Sequence, residues 1–227
     1  MTSPAAFYRS TIGKKIIMGV TGLIGIGFVI VHMAGNLQAF IGQDKINSYG
    51  AALHGPLGEL TWLIRIVLIV AVVLHVLMAY QLTQISRAAR PVGYQRRESQ
   101  VSTLASRTMK WGGVLLLVFI VFHILHFTTE TIDPAGWRHR LDTVGRRDVY
   151  GNLVASFQIG WVAAFYVVAM IFLGLHLYHG AWSSVRTLGY AKPSPHPLHR
   201  RIALLIAAVV WLGFTIVPLG VLAGFIH

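Results

Sequence analysis

The stretch Ile16–Ala34, with the sequence IIMGVTGLIGIGFVIVHMA, decides the fold of this chain. It is 19 residues long and contains no charged side chain, which matches the roughly 20 apolar residues that a helix needs to cross a bilayer. It directly follows Lys14 and Lys15. Because it is longer than a signal-peptide core and lacks a clear small-residue cleavage site, we expect a retained transmembrane helix.

The composition of the whole chain agrees with a membrane protein. Of 227 residues, 55% are hydrophobic and only 11% are charged, whereas soluble domains carry roughly a quarter charged residues. The chain has no cysteine. Its composition therefore excludes thiolate metal sites, an iron–sulfur cluster of its own, disulfides and a cysteine nucleophile.

Apolar runs predict five transmembrane helices and no soluble domain. The sequence therefore predicts an all-α integral membrane protein with a single domain, residues 1–227. The fourth run is long, so its ends are expected to project from the membrane or to tilt. The predicted spans are approximately 13–36, 60–85, 108–130, 154–185 and 202–226.

Basic residues are concentrated on one side of these spans. That side carries 13 basic residues and a single acid, Glu98, whereas the other side carries six of each. By the positive-inside rule the amino terminus is cytoplasmic and the carboxyl terminus lies outside. Nucleic-acid binding is not needed to explain the net charge of +12. The 13 are Arg9, Lys14, Lys15, Arg87, Arg90, Arg96, Arg97, Arg107, Lys110, Arg186, Lys192, Arg200 and Arg201.

Four of the five spans carry a histidine deep in the apolar region. An ionisable residue inside a membrane marks a functional site by default. With the helix directions set, the rise of 1.5 Å per residue places His32 and His123 in an outer layer and His75 and His176 in an inner layer, about 10–15 Å apart. Paired imidazoles without cysteine or carboxylate suit haem iron. We expect two bis-histidine haems inside a bundle of four helices, with the fifth helix outside the cofactor cavity.

Several assignments stay open at this point. The four histidines could instead be hydrogen-bonded packing residues. His126 and His179 each follow a candidate ligand by three residues, so either member of each pair could face the bundle; the other could contact a haem propionate or line a quinone site. Arg65, near the outer end of its span, could pair with a propionate or extend to the interface.

Short motifs along nearly the whole chain resemble one family: the diheme cytochrome b membrane anchor of succinate:quinone oxidoreductases, the succinate dehydrogenase/fumarate reductase family. Each motif is modest alone, but their order on five spans is specific. They are STIGKK (10–15), TGL (21–23), HMAGN (32–36), RIVL (65–68), RTMKWGG (107–113), FH (122–123), GLH (174–176) and HGAW (179–182).

The resemblance implies the ligands of the two b haems, His32 and His123 for the distal haem and His75 and His176 for the proximal one. It thereby favours His123 over His126 and His176 over His179. It implies no catalytic residue on this chain, because succinate reacts on a partner flavoprotein with covalent FAD. An iron–sulfur protein would dock on the basic cytoplasmic face, consistent with electrostatic complementarity.

The implied function is electron transfer in the respiratory chain and the tricarboxylic acid cycle, from the iron–sulfur subunit through two haems to a membrane quinone, for which we expect menaquinone. The expected location is the bacterial cytoplasmic (inner) membrane, and a higher oligomer of the complex is left open. For a quinone site, His54 and Glu59 are the ionisable candidates on the outer side. Ser10 and Lys14 are weaker candidates on the inner side.

One position departs from the family pattern. Some fumarate-reducing relatives place an acidic residue, part of a transmembrane proton path, two positions before the fourth ligand. That position is Gly174 here, so the resemblance does not imply this proton path in the present chain.

Two rival functions remain: the diheme anchor of another respiratory oxidoreductase (nitrate reductase, hydrogenase or formate dehydrogenase), and a haem-free transporter or structural anchor.

Overall fold

The computed structural model describes residues 3–89, 103–190 and 198–227, which form helices and their connections with one isolated bridge. A 3₁₀ turn at Leu37–Phe40 continues α2, and a π turn at Ile124–Thr128 continues α5. The helices are α1 (Pro4–Arg9), α2 (Thr11–Asn36), α3 (Gln43–His54), α4 (Gly58–Ala88), α5 (Leu104–His123), α6 (Val149–Phe157), α7 (Gly160–Thr187) and α8 (Leu198–Leu222).

Within the described ranges, five helices are long and apolar enough to cross a membrane: α2, α4, α5, α7 and α8, with the turns that continue α2 and α5. The prediction of an all-α chain with five helices of membrane-spanning length is confirmed for these residues, and it is consistent with a multi-pass membrane protein. Part of the charge pattern used above lies outside the described residues. The residues concerned are Arg90, Arg96, Arg97, Glu98 and Lys192.

The fourth expected span, 154–185, is not one continuous helix. It is divided into α6 and α7 at Gln158 and Ile159, where Ile159 adopts an extended backbone. Asp148 begins α6 by accepting a hydrogen bond from the backbone N–H of Gly151 at 3.0 Å, as N-cap residues do. The length of the apolar run is therefore explained by a short helix that precedes the membrane span.

Helix α7 lies in the middle of the bundle and packs against α2, α5 and α8, whereas α4 packs mainly along α2. Small residues allow the close approaches. A Cβ atom on Gly112 of α5 would lie 3.1 Å from the Phe172 ring of α7, so a larger side chain there would push the two helices apart. Most of α4 is exposed, and Ala71 and Met78 are its buried residues, so its apolar surface suits contact with lipid.

One end of the bundle is closed by polar residues, which we call the polar cap: α3, α6 and the connection 129–148. Asn47, fully buried, donates to Asp148 at 3.0 Å and to Asp142 at 3.2 Å. Arg146 binds Asp142 and Asp44, both at 2.8 Å. These bonds join α3 to a segment about a hundred residues later in the chain. The opposite end, where α2 begins and α7 ends, is called the basic end.

The cap is expected to loosen in acid. Burial opposes ionisation of Asp142, but hydrogen bonds from Arg146, Asn47 and Val144 outweigh it and lower the pKa of Asp142 to about 2. A carboxyl with a lowered pKa stabilises the fold above its ordinary value of 3.8 and loses that effect as the pH falls through the folded value. The cap should therefore become mobile between pH about 4 and about 2.

Because the chain has no cysteine, a nitroxide on Thr143→Cys reports on the cap alone. Its EPR spectrum should sharpen across this pH range, whereas the same label on Thr187→Cys at the basic end should not change. In Asp142→Asn the label should already be mobile at neutral pH. An acid transition of equal size in that variant would contradict the assignment to Asp142.

Candidate functional site

The structure brings the four membrane histidines together in two pairs. His32 of α2 and His123 of α5 have ring centroids 5.7 Å apart, and His75 of α4 and His176 of α7 have ring centroids 6.0 Å apart. These are the pairs that the depth argument predicts. We call them the cap-end pair and the basic-end pair.

The two pairs lie at different levels of the bundle. A Cβ atom on Gly22 of α2 would lie 3.3 Å from the His75 ring, so the ring packs closely against α2 at this point. Gly22 and His32 are ten residues apart on the same helix, which corresponds to about 15 Å along its axis. Each pair therefore forms a separate site.

In the basic-end pair, hydrogen bonds orient one ring. The Nδ1 atom of His75 lies 3.0 Å from the backbone carbonyl oxygen of Met18 and 3.3 Å from the hydroxyl of Thr21. A carbonyl oxygen only accepts, so Nδ1 carries the proton and Nε2 of the neutral ring keeps a free lone pair. Nδ1 of His176 is buried and has no hydrogen-bond partner among the described residues.

Aromatic rings surround the cap-end pair. Phe28 stacks on His32 at 5.4 Å, and Phe119 stacks on His123 at 5.7 Å. Phe214 of α8 also lies 5.6 Å from the His32 ring. A side chain of the fifth span, which is expected to pack outside the cofactor cavity, therefore reaches this pair. The resulting environment is apolar and suits a flat, apolar ligand.

The neighbouring histidines make different contacts. His126 is 1% exposed, and its two ring nitrogens lie 3.0 Å from the hydroxyls of Tyr166 and Ser156. His179 packs against Trp182, with ring centroids 5.9 Å apart, and its Nδ1 atom is buried without a partner among the described residues. Sequence spacing left these residues as alternatives to His123 and His176. In the structure they contact other residues than the paired rings.

The side chains proposed for a propionate contact or a quinone site on the outer side lie near the surface at the cap end. They are Arg65, His54 and Glu59. The guanidinium of Arg65 is positioned over the Trp62 ring, 5.0 Å from its centroid. Exposed His54 uses Nδ1 to donate to the carbonyl oxygen of Gly50 at 2.9 Å. Glu59 is also exposed, in the first turn of α4, where a carboxylate is favoured by the helix dipole. Each of the three thus has a local structural role.

The inner candidates Ser10 and Lys14 take part in the join between α1 and α2. The hydroxyl of Ser10 caps α2 by accepting from the N–H of Gly13 at 2.9 Å. Lys14, 7% exposed, donates to the carbonyl oxygens of Tyr8 and Arg9 at 2.9 and 3.3 Å. These bonds satisfy the carbonyl groups that end α1.

Gly174 lies at the contact between α7 and α8. A Cβ atom there would lie 3.3 Å from Cβ of Trp211. A carboxylate side chain at this position would require α8 to move. The packing is thus consistent with the absence of an acidic residue at this point of the chain.

Paired imidazoles restrict the kind of metal centre that can form. In the part of the chain that the structure describes, no group of three or more His, Cys, Asp or Glu residues is placed to hold a metal ion. Two protein ligands do not complete the four-coordinate sites typical of structural zinc. A pair of histidines does complete the coordination of an iron whose remaining ligands belong to a macrocycle.

Sequence reasoning missed the residues that orient the paired rings. Thr21 and His32 are the two polar residues of the apolar stretch 16–34, which was an available signal. Tyr166 lies 3.3 Å from Nδ1 of His123 as well as 3.0 Å from His126. Its contact with both was not predictable, because it depends on how α5 and α7 pack.

Comparisons of this chain with family models, curated proteins and solved structures found no match.

Proposed function

We propose that this chain is the diheme cytochrome b membrane anchor of a succinate:quinone oxidoreductase. The observation that carries the proposal is the pairing of four histidines at two levels, each histidine on a different membrane helix. The motif resemblance to that family supplies the identity of the complex. The pairing alone supports a membrane protein that binds two haems.

The spacing of the rings fits bis-histidine ligation. Metal–imidazole bonds are about 2 Å long, so two imidazoles on opposite sides of one metal have donor nitrogens about 4 Å apart and ring centroids about 6 Å apart. The observed centroid separations are 5.7 and 6.0 Å.

The residues of this chain would hold and orient the cofactors. A bound haem supplies one-electron redox chemistry. His32 and His123 would hold the cap-end haem, and His75 and His176 the basic-end haem. The Met18 carbonyl keeps Nε2 of His75 unprotonated, which is the form that binds a metal. The phenylalanines around His32 and His123 exclude water and lower the local polarity, which tunes the redox potential.

The charge pattern supports an orientation with the basic end in the cytoplasm, and we expect the membrane to be the cytoplasmic membrane of a bacterium. The flavoprotein and iron–sulfur subunits would then dock on the basic end, close to the His75–His176 pair. Electrons from succinate would enter the membrane there and leave to a quinone, for which we expect menaquinone. The side chains of His54, Glu59, Ser10 and Lys14 have local structural contacts or lie exposed, so none of them is proposed as a quinone ligand.

The test is a reduced-minus-oxidised visible spectrum of the purified chain, with a haem-to-protein ratio. We expect b-type bands and about two haems per polypeptide. Absence of a b-type band would leave only the haem-free transporter or anchor. The co-purified partner decides the rest: a flavoprotein with covalent FAD supports the proposal, whereas a molybdenum or nickel subunit would identify another respiratory oxidoreductase.

A further inference from the structure

An unbranched row of hydrogen bonds connects the polar cap to His123. The five members that precede His123 are nearly inaccessible to water, with exposures between 0% for Ser156 and 6% for Tyr166. The links are Asn152 Nδ2 to Glu130 Oε1 (3.3 Å), Ser156 Oγ to Asn152 Oδ1 (3.1 Å), His126 Nε2 to Ser156 Oγ (3.0 Å), Tyr166 hydroxyl to His126 Nδ1 (3.0 Å) and His123 Nδ1 to Tyr166 hydroxyl (3.3 Å).

The first member of the row is fixed as an acceptor. Glu130 forms an ion pair with Arg147, at 2.7 Å to Nη2, and accepts from the backbone N–H of His139 at 2.8 Å. A carboxylate paired in this way has no proton to donate. Glu130 also has a left-handed backbone, with φ of 52°, a conformation that costs energy for a residue of this type and persists only when surrounding contacts hold it.

The direction set at Glu130 passes to each following link. Asn152 must present its NH₂ group to Glu130, so its carbonyl oxygen faces Ser156 and accepts the hydroxyl proton. The Ser156 oxygen can then only accept from the next member, so the proton of His126 resides on Nε2. Each group has one remaining role, because a hydroxyl has one proton and a neutral imidazole has one donor and one acceptor nitrogen.

The same logic determines the protonation of His123. Since Nδ1 of His126 is an acceptor, the Tyr166 hydroxyl donates to it. The Tyr166 oxygen then accepts from His123, so Nδ1 of His123 carries the proton. Nε2 of His123 is left with a free lone pair, the form needed for binding a metal.

We propose that Glu130 is a positioning residue that sets the tautomer of His123 through this row, and thereby prepares Nε2 as a ligand. The identity of the ligand rests on the proposed function, but the tautomer does not. A carboxylate in the cap thus acts on a ring inside the membrane without contacting it. The basic-end pair has its own device, the Met18 carbonyl, and is independent of this row.

The first experiment measures the tautomer in the full-length, haem-free chain. With ¹⁵N-labelled histidine in detergent micelles, long-range ¹H–¹⁵N correlations distinguish Nδ1–H from Nε2–H rings; the His123 signals are assigned by their loss in His123→Gln. The wild-type chain should show Nδ1–H for His123 and Nε2–H for His126. Ser156→Ala breaks the row in the middle, so a population of Nε2–H should appear for His123.

Ser184→Ala is the matched control, because Ser184 is also buried but bonds to the Gly180 carbonyl at 2.8 Å and is not in the row. It should leave the His123 tautomer unchanged. A wild-type His123 with Nε2–H, or a His123 that stays wholly Nδ1–H in Ser156→Ala, would overturn the proposal. Both outcomes are readable whether or not the chain binds haem.

The second experiment measures haem affinity. Tyr166→Phe removes the acceptor of His123 and should weaken the cap-end haem 10–100-fold, the usual effect of losing a partner of a metal ligand. Affinity at the basic-end pair should be unchanged. The control is Tyr178→Phe on the same helix, whose hydroxyl binds Arg200 at 2.6 Å. Equal loss at both sites, or no loss at either, would contradict the proposal; a wild-type chain without haem would instead refute the proposed function.

Discussion

Replacing His75 or His176 with alanine is expected to halve the haem b content of the purified chain. The two ring centroids are 6.0 Å apart, so both residues would hold the same iron, and loss of either would leave that iron with a single protein ligand. The remaining haem should retain its spectrum, because the cap-end pair uses other helices for its ligands. A pyridine haemochromogen assay gives the content, and a redox titration shows which component is lost.

His179→Ala is the matched control for this prediction. His179 lies on the same helix, one turn from His176, and contacts Trp182 rather than His75. It should keep both haems. Full haem content in both His75→Ala and His176→Ala would exclude this pair as ligands, and loss of a haem in His179→Ala alone would move the ligand assignment by one turn.

The second large effect is expected at the cap end. There, His123→Ala and His126→Ala should differ in their effects on haem content and on stability. His123→Ala should remove the cap-end haem. His126→Ala should weaken binding of that haem without abolishing it, because it breaks the row that orients His123. It should also destabilise the chain, because buried Tyr166 and Ser156 each lose a hydrogen-bond partner. An unsatisfied buried polar group costs about 1–3 kcal/mol, so the loss should be measurable as a lower thermal unfolding temperature.

The two variants are compared by the same haem assay and by thermal unfolding in detergent. His54→Ala serves as the control, since His54 is exposed and bonds only within its own helix; it should change neither quantity. Loss of the cap-end haem in His126→Ala with full retention in His123→Ala would identify His126 as the ligand.

The pairing of the histidines was predictable because the depth of a residue in the membrane depends only on its position along a helix of known direction. Helix direction follows from the charges and depth follows from the count of residues, so His32 and His123 were matched without any knowledge of packing. The choice between His123 and His126 was not predictable from the residues. Positions three apart share a helix face, and the π turn Ile124–Thr128 changes the face that His126 presents.

The cap was also beyond sequence reasoning. α3 is polar, with Gln43, Asp44, Lys45 and Asn47 at its start, so a search for apolar runs does not detect it. Its contacts with Asp142 and Asp148 join residues about a hundred positions apart. Such contacts depend on the arrangement of the membrane helices. The row of hydrogen bonds from Glu130 to His123 depends on the same arrangement, so no local sequence pattern predicts it.

The central position of α7 has a consequence for how the protein is made. The histidine pairs draw on alternate membrane helices, the first with the third and the second with the fourth, and chains are synthesised from the amino terminus. When α5 has entered the membrane, His32 and His123 are both present, but Tyr166 is still to come. Insertion of α7 then delivers Tyr166 to one pair and His176 to the other. Both sites therefore gain a residue when α7 inserts, and a chain that stops before α7 contains neither in finished form.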